Sequence, residues 1–312
     1  MDLMDLALPA ALGIIMLGLG LGLTVTDFRR IARHPRAVLA ALLTQLIVLP
    51  SICFGLVYLF DLPPVLAVGM MLLSAAPGGP GANLYSHLFG GDVALNVSLT
   101  AINSVLAIVT MPLIYNLSAA HFAAGDETLG LQFGKALEVF AIVLLPVFVG
   151  MLVRRARPGV AARLERPVRI ASMVVLAVLI VGSVLQNLEL LRENFGRLAG
   201  ITAVFGLVNL LLGYLVPRLA RTTSREAIAC SFEIGLHNAV MAIVIARSVI
   251  GSEEMALPGG VYTVIQMPMA LVFGVVLSRI LRRGRARGVL VAGTPLGRGD
   301  AAGVSRVGAP SA

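Results

Sequence analysis

Apolar residues in this chain come in long runs, broken by short polar or arginine-rich stretches. The runs are about 20 residues long, which is the length a helix needs to cross the hydrocarbon core of a bilayer. A soluble protein could not bury so many helices that are apolar on every face. We therefore predict an all-α polytopic membrane protein with nine transmembrane helices, at about 7–26, 37–60, 64–88, 92–117, 131–153, 168–187, 197–217, 226–250 and 258–280.

Two of these segments carry polar interruptions. The third contains Pro77-Gly78-Gly79-Pro80-Gly81, and the eighth contains Glu233 through Asn238 with Gly235 between them. Proline cannot donate a main-chain hydrogen bond, and the groups that it frees must be satisfied inside protein or in a wet cavity. We predict a break in the third segment. The eighth is either unwound or a continuous helix with a buried polar patch.

The positions of the two interruptions predict an inverted repeat. They are five segments apart, so the third and eighth segments cross the membrane in opposite directions. This is expected of a 4+5 arrangement about a pseudo-twofold axis in the membrane plane, with repeats at about 7–153 and 168–281. Residues 1–281 would form a single transporter domain. Residues 282–312, rich in Arg, Gly, Ala and Ser, are predicted to be a disordered cytoplasmic tail.

Composition and charge agree with a membrane protein. Only 13% of the residues are charged and 58% are hydrophobic, whereas soluble domains carry about 25% charged residues. The net charge of +8 comes from arginines in 27–36, 154–169 and the tail. This asymmetry predicts an inner-membrane protein with its amino end outside and its carboxyl end cytoplasmic, and no nucleic-acid partner. Arg192, Arg197 and Arg247 would then lie near the outer edge of the membrane. Two separated cysteines predict neither a disulfide framework nor a metal site.

Glu233 is the strongest candidate for chemistry, because a carboxylate at bilayer depth costs roughly 2.5–3.5 kcal/mol. It needs a cation, a proton or a polar cavity. Asn96, Thr100 and Asn103 form one helical stripe in the fourth segment. We interpret Asn103 as a helix–helix contact and the other two as site residues. Amide, hydroxyl and carboxylate oxygens suit a hard cation.

Two further polar positions keep alternatives open. Gln45 in the second segment is either a helix–helix contact or a ligand. His237 follows Glu233 by four residues, so the two share a face if the helix is continuous. Such a pair is half of a metal site. Because no second pair of ligands accompanies it, we predict no metal other than the coupling cation.

Taken together, these residues resemble the bile acid:sodium symporter family over about Gly13–Leu281. The resemblance is carried by four pieces: Leu21–Thr24 with Asp27–Arg30, Pro77–Gly79 with Asn83, Gly91–Leu95 with Ser98–Thr100, and Glu233-x-Gly235-x-x-Asn238. It implies a panel domain and a core domain, with two discontinuous helices that cross in the core. The chain is similar to the nine-span form that lacks the first helix.

The resemblance also implies ligands. A first sodium site would use Asn83, Asn96, Thr100 and Glu233, and a second would use Gln45, Glu233 and His237 with carbonyls near Ile234 and Leu236. Pro80 and Asn238 would face the substrate, and Gln266 would lie near its cavity. The chain has Ala82 where the family usually has Ser, and His237 where it usually has Gln. We hypothesise that His237 makes the second site proton-sensitive or removes it.

The function implied is sodium-coupled symport of an organic anion, such as a small carboxylate or a bile-acid-like compound, by alternating access. Sodium, the substrate and the lipid bilayer would be its partners, with no cofactor, and the oligomeric state stays open. An efflux carrier of the arsenite or auxin type is the alternative, since Cys230 lies one turn before Glu233. An intramembrane enzyme could use Glu233 and His237 as acid and base, with Ser231 as the nearby hydroxyl. We expect a transporter and not an enzyme.

Overall fold

The structure is a computed structural model. It describes residues 13–14, 16–18, 20–22, 24, 31–122, 133–164, 167–168, 170–171, 174 and 188–286. Over these residues the regular secondary structure is helical, with one isolated β-bridge and no named strand. The predicted segments at 7–26 and 168–187 and the tail beyond 286 lie wholly or largely outside the described residues. The count of nine spans therefore remains a prediction.

The described helices, in chain order, include short pieces on either side of two breaks. We label them α1 (Pro35–Leu59, with a π-helical turn at Thr44–Val48), α2 (Pro64–Ser74), α3 (Pro80–Leu88), α4 (Val93–Phe122), α5 (Phe133–Ala156), α6 (Leu188–Leu219), α7 (Ser224–Gly235), α8 (Ala239–Val244, extended by a π-helical turn at Ile245–Ile250) and α9 (Glu253–Ala286).

Three described helices are long and apolar enough to cross a membrane: α1, the Phe195–Leu219 part of α6, and the Glu253–Arg283 part of α9. The halves of α4, bent by 51° around position 108, make a fourth span if they are counted together. Pro112 accounts for this bend, because its ring clashes with the carbonyl four residues earlier. Large apolar side chains are exposed in stripes on the outer helices, such as Leu39, Leu43 and Ile47 on α1. These stripes would face lipid.

Three of the four helices next to the breaks, α2, α7 and α8, lie in the core. Every residue from Leu66 to Ser74 in α2 and from Ala227 to Gly235 in α7 is buried. Glycines let the surrounding helices come close, as is common in membrane proteins. A Cβ on Gly213 of α6 would lie 2.8 Å from the Cα of Ser231 in α7. These three helices are therefore enclosed by protein, whereas α3 exposes Leu84 and Leu88.

Both interruptions are present. The first separates α2 from α3 at 75–79, and the second separates α7 from α8 at 236–238. Of the two alternatives for the eighth segment, the structure has the unwound one. Each break is followed by a helix start suited to its sequence: Pro80 is the first residue of α3, and Asn238 accepts a hydrogen bond from the Met241 amide to cap α8.

Candidate cation site at the meeting of two interrupted helices

The two breaks are hydrogen-bonded to each other through their main chains. The Gly79 amide donates to the Leu236 carbonyl at 2.6 Å, and the Asn238 amide donates to the Pro77 carbonyl at 2.7 Å. Gly78 and His237 thereby form an antiparallel bridge. Buried main-chain groups that have left a helix need partners, and each break supplies them to the other. A Cβ on Gly79 would lie 3.0 Å from the His237 carbonyl oxygen, so this approach favours glycine.

The Glu233 carboxylate lies beside this bridge, in the last turn of α7, and is 0% exposed. The Thr100 hydroxyl donates to its Oε2 at 2.5 Å, and the Asn103 amide nitrogen donates to its Oε1 at 3.2 Å. The main-chain amide of Gly78 also hydrogen-bonds to the carboxylate. Within the described part of the chain, Glu233 has no ion pair with Lys, Arg or His. The carboxylate therefore has donors but no compensating charge.

The polar stripe on α4 faces this carboxylate. Thr100 contacts it, as predicted, and so does Asn103, which we had interpreted as a helix–helix contact. The hydrogen bond from Asn103 to Glu233 is a contact between α4 and α7, as interpreted, and it also brings Asn103 to the carboxylate. Asn96 instead donates from Nδ2 to the Ala229 carbonyl at 2.7 Å, one turn before Glu233. The helical spacing of the stripe was the signal that could have included Asn103.

Several amide oxygens around the two breaks are buried and have no hydrogen-bond partner among the described residues. They belong to Gln45, Asn83, Asn96 and Asn103. An unpartnered buried polar atom is costly, and oxygens of this kind beside an uncompensated carboxylate fit a hard cation such as sodium. Asn83 lies in the second turn of α3, just after the break, and Asn96 lies one turn before Thr100 on α4. The first predicted site thus draws on both helices that flank Glu233.

The second predicted site is arranged less favourably for a cation. The side-chain nitrogen Nε2 of Gln45 lies 3.0 Å from the Ala76 carbonyl oxygen and 3.3 Å from Nε2 of His237. The Leu236 carbonyl accepts from Gly79, and the Gly235 carbonyl accepts from Tyr262 at 2.8 Å. Apart from Oε1 of Gln45, the described groups named here are donors or carbonyls that already accept a hydrogen bond, so they offer a cation few free oxygens.

His237 and Glu233 do not share a helical face, because the helix ends at Gly235 between them. The His237 ring packs between Phe205 and Tyr262, with ring centroids 5.6 and 5.8 Å away. Its polar neighbour is Gln45, whereas the neighbours of Glu233 are on α4. The Glu-x-x-x-His spacing therefore does not assemble a pair of metal ligands, and no cluster of three or more His, Cys, Asp or Glu occurs among the described residues.

The residues predicted to face the substrate lie near the same breaks. Pro80 begins α3, and Asn238 is 4% exposed with its Oδ1 committed to capping α8, which leaves its Nδ2 as the donor. Gln266 in the middle of α9 is buried, and its Oε1 has no hydrogen-bond partner among the described residues.

Cys230, the residue that suggested an efflux carrier, is 0% exposed, with Sγ 3.8 Å from the Ala37 carbonyl oxygen. Its thiol therefore contacts α1 and not the break.

Helices broken at bilayer depth around a buried, uncompensated carboxylate are typical of secondary transporters. Comparison with known families leads to the same class. The family model described as the Sodium Bile acid symporter family matches residues 9–194. The match covers more than half of the chain, so the protein belongs to this family of sodium-coupled transporters, which are not enzymes. The family predicted from the sequence is confirmed.

Curated relatives agree with this membership. The chain is 29% identical over 253 residues to a probable sodium/metabolite cotransporter, chloroplastic BASS2 of Oryza sativa subsp. japonica, covering 81% of this chain and 59% of that protein. It is 28% identical over 254 residues to the sodium-dependent transporter YocS of Bacillus subtilis (strain 168), covering 81% and 77%. It is 31% identical over 256 residues to Sodium/bile acid cotransporter 4 of Mus musculus, covering 79% and 58%.

Proposed function

We propose that this protein carries a small organic anion together with sodium across a cell membrane by alternating access. The amino end would be outside and the carboxyl end cytoplasmic, and nine spans would form a 4+5 inverted repeat with panel and core domains. The relatives' names support the coupling ion and an organic substrate: one is named for sodium and a metabolite, another for sodium and bile acid. A small carboxylate is the proposed substrate class.

The carboxylate of Glu233 is the observation that carries this proposal. It is fully buried where two breaks meet, it accepts hydrogen bonds from Thr100 and Asn103, and it has no ion-pair partner within the described residues. A captured sodium ion would neutralise it. The bound ion would also join α3, α4 and α7, because its proposed ligands come from all three.

Sodium coupling follows from this arrangement in physical terms. Without the ion, the core would have to carry an uncompensated charge through the low-dielectric barrier as it moves, at a cost of several kcal/mol. With sodium on Asn83, Asn96, Thr100 and Glu233, the core moves with its charge neutralised. Gln45 and His237 remain the proposed second set of ligands with Glu233. The donors around them support a weaker or absent second ion.

The substrate would be held on the other side of the same breaks. The amino end of α3, which begins at Pro80, carries the positive end of the helix dipole, which favours a carboxylate. Asn238 would donate from Nδ2, and Gln266 of α9 would complete the polar lining. The Gly79 and Asn238 amides hydrogen-bond the two breaks to each other. Ion binding on one side of the breaks would therefore position the groups that hold the substrate on the other side.

Transport by purified protein tests this proposal. Proteoliposomes should accumulate radiolabelled pantoate or pyruvate when an inward sodium gradient is imposed, and not when potassium replaces sodium. Glu233→Gln should abolish sodium-dependent uptake. Ser231→Ala is the matched control, two residues away on the same helix, because Ser231 donates to Leu210 of α6 and not to the site.

The outcomes separate the alternatives. Sodium-dependent uptake that persists in Glu233→Gln would overturn the assignment of the ion site. Loading of inverted vesicles without a sodium requirement would favour an efflux carrier. Sodium-dependent uptake of taurocholate, with no uptake of pantoate or pyruvate, would agree with the proposed mechanism. It would show that the substrate is a bile-acid-like compound and not a small carboxylate.

A further inference from the structure

Arg247 is a charged side chain that the proposed site does not use. It lies in the π-helical turn that extends α8, and its side chain is only 8% exposed. Arg192 and Arg197, which are predicted to lie at the same membrane edge, are exposed. A buried guanidinium at this edge needs a reason, because desolvating a charge is costly unless it has a partner.

Glu253, the first residue of α9, is that partner. Its Oε1 lies 2.8 Å from Nε and 2.5 Å from Nη2 of Arg247, and its side chain is 48% exposed. One carboxylate oxygen thus accepts from two of the five N–H groups of the guanidinium. The carboxylate is on the solvent side and the guanidinium is on the protein side, so an anion arriving from solvent meets Glu253 first and can replace it.

Arg247 lies on the same short helix as Asn238, one of the residues proposed to face the substrate. It follows Asn238 by nine residues on α8, which is about 14 Å along a helix axis. Residues from Ala239 to Ala246 between them are buried. The turn that holds Arg247 also packs against α5 and α9. It therefore lies at one end of the short helix whose other end caps the break at Asn238.

We propose that Arg247 is an anion-recruitment residue, and that Glu253 occupies its guanidinium until the carboxylate of a substrate displaces it. This inference rests on the proposed transport of an organic anion and names a residue that selects for it. Arginine suits the role, since its planar guanidinium stays charged and binds a carboxylate through paired hydrogen bonds. The exchange of one carboxylate for another leaves the charge of the pair unchanged.

Kinetics of sodium-driven pantoate uptake in proteoliposomes test the assignment. Arg247→Gln should raise the KM for pantoate by about tenfold or more with kcat nearly unchanged, as expected when a charged hydrogen-bond partner is lost. Glu253→Gln removes the competing carboxylate and should lower KM. Arg197→Gln, an exposed arginine predicted to lie at the same edge, is the matched control and should leave KM unchanged.

A second measurement distinguishes anion recruitment by Arg247 from a purely structural role, in which the ion pair with Glu253 only holds α8 against α9. Pantoate should compete with labelled pantoate far better than its primary amide in the wild type, and this preference should shrink in Arg247→Gln. If the pair only holds the helices together, both variants would lower Tm, and KM and the preference for the acid would stay as in the wild type. That result would overturn the assignment of Arg247. Lack of wild-type sodium-driven uptake of pantoate or pyruvate would instead refute the proposed small-carboxylate transport, and this inference with it.

Discussion

Gly78 lies directly against the carboxylate of Glu233, so closely that a Cβ at position 78 would overlap the Cδ and both oxygens of the acid. The amide of Gly78 donates to the same carboxylate. A main-chain group of the first break and a side chain of the second thus occupy one small space. The proposed cation site would therefore lie between the two broken segments and would need both of them.

Gly78→Ala should therefore abolish sodium-dependent transport, because the added methyl group displaces the carboxylate. Sodium-dependent thermal stabilisation of the purified protein is the direct measurement, and it should disappear together with uptake. Gly55→Ala in α1 is the matched control, since nothing lies within 4 Å of a Cβ at that position. If Gly78→Ala protein kept the sodium response of the wild type, the site would lie elsewhere.

Thr100→Val should weaken sodium binding, whereas Thr100→Ser should retain it. The valine keeps the shape of the side chain but removes both the donor to Glu233 and a proposed ligand oxygen. Removing one partner of a buried charged group costs about 1–3 kcal/mol, so the sodium concentration for half-maximal uptake should rise by roughly ten- to a hundredfold. Equal sodium dependence in the two variants would show that the hydroxyl is not a ligand.

His237→Gln tests the hypothesis of a proton-sensitive second site. Histidine is the side chain whose ordinary titration falls between about pH 5 and 8, and glutamine does not titrate there. The variant should therefore show a flatter pH profile of uptake and a steeper dependence on sodium concentration. His237→Asn is a useful companion, because it removes the imidazole without restoring the length of glutamine. Unchanged pH and sodium dependence in His237→Gln would refute the hypothesis.

Thr223→Ala should destabilise the protein without changing its sodium dependence. Thr223 caps α7: its hydroxyl accepts from the Glu226 amide, and Glu226 accepts in return from the Thr223 amide at 2.7 Å. Loss of such a cap costs about 1 kcal/mol. Tm should fall for the alanine variant and recover in Thr223→Ser, and the sodium response of the remaining folded protein should equal that of the wild type.

The sequence predicted the first break and the central acid for local reasons, and it left the second break open as one of two alternatives. Two prolines and three glycines within 77–81 cannot continue a helix, and Glu233 stands out in an apolar segment. The stripe on α4 was also visible from spacing. Spacing alone does not say which partner each residue of the stripe contacts: the helix–helix contact interpreted for Asn103 is made to Glu233 itself, and this depends on how α4 and α7 pack.

Long-range contacts account for the other differences. Glu233 and His237 were expected to share a face only if the helix continued, and Gly235 alone did not reveal that it ends. The pairing of Gln45 with His237 joins residues that are 192 positions apart, and no local pattern encodes it. The same holds for Arg247, whose burial depends on a π-helical turn that its sequence does not signal.

The paired amides and carbonyls of the two breaks restrict how this chain can change during evolution. Pro77 depends on Asn238 for a donor, and Leu236 depends on Gly79. Deleting a residue from one loop would leave orphaned polar groups in the other, in a place that water does not readily reach. The two loops are some 160 residues apart in the sequence. A change of length in one of them would therefore require a matching change in the other.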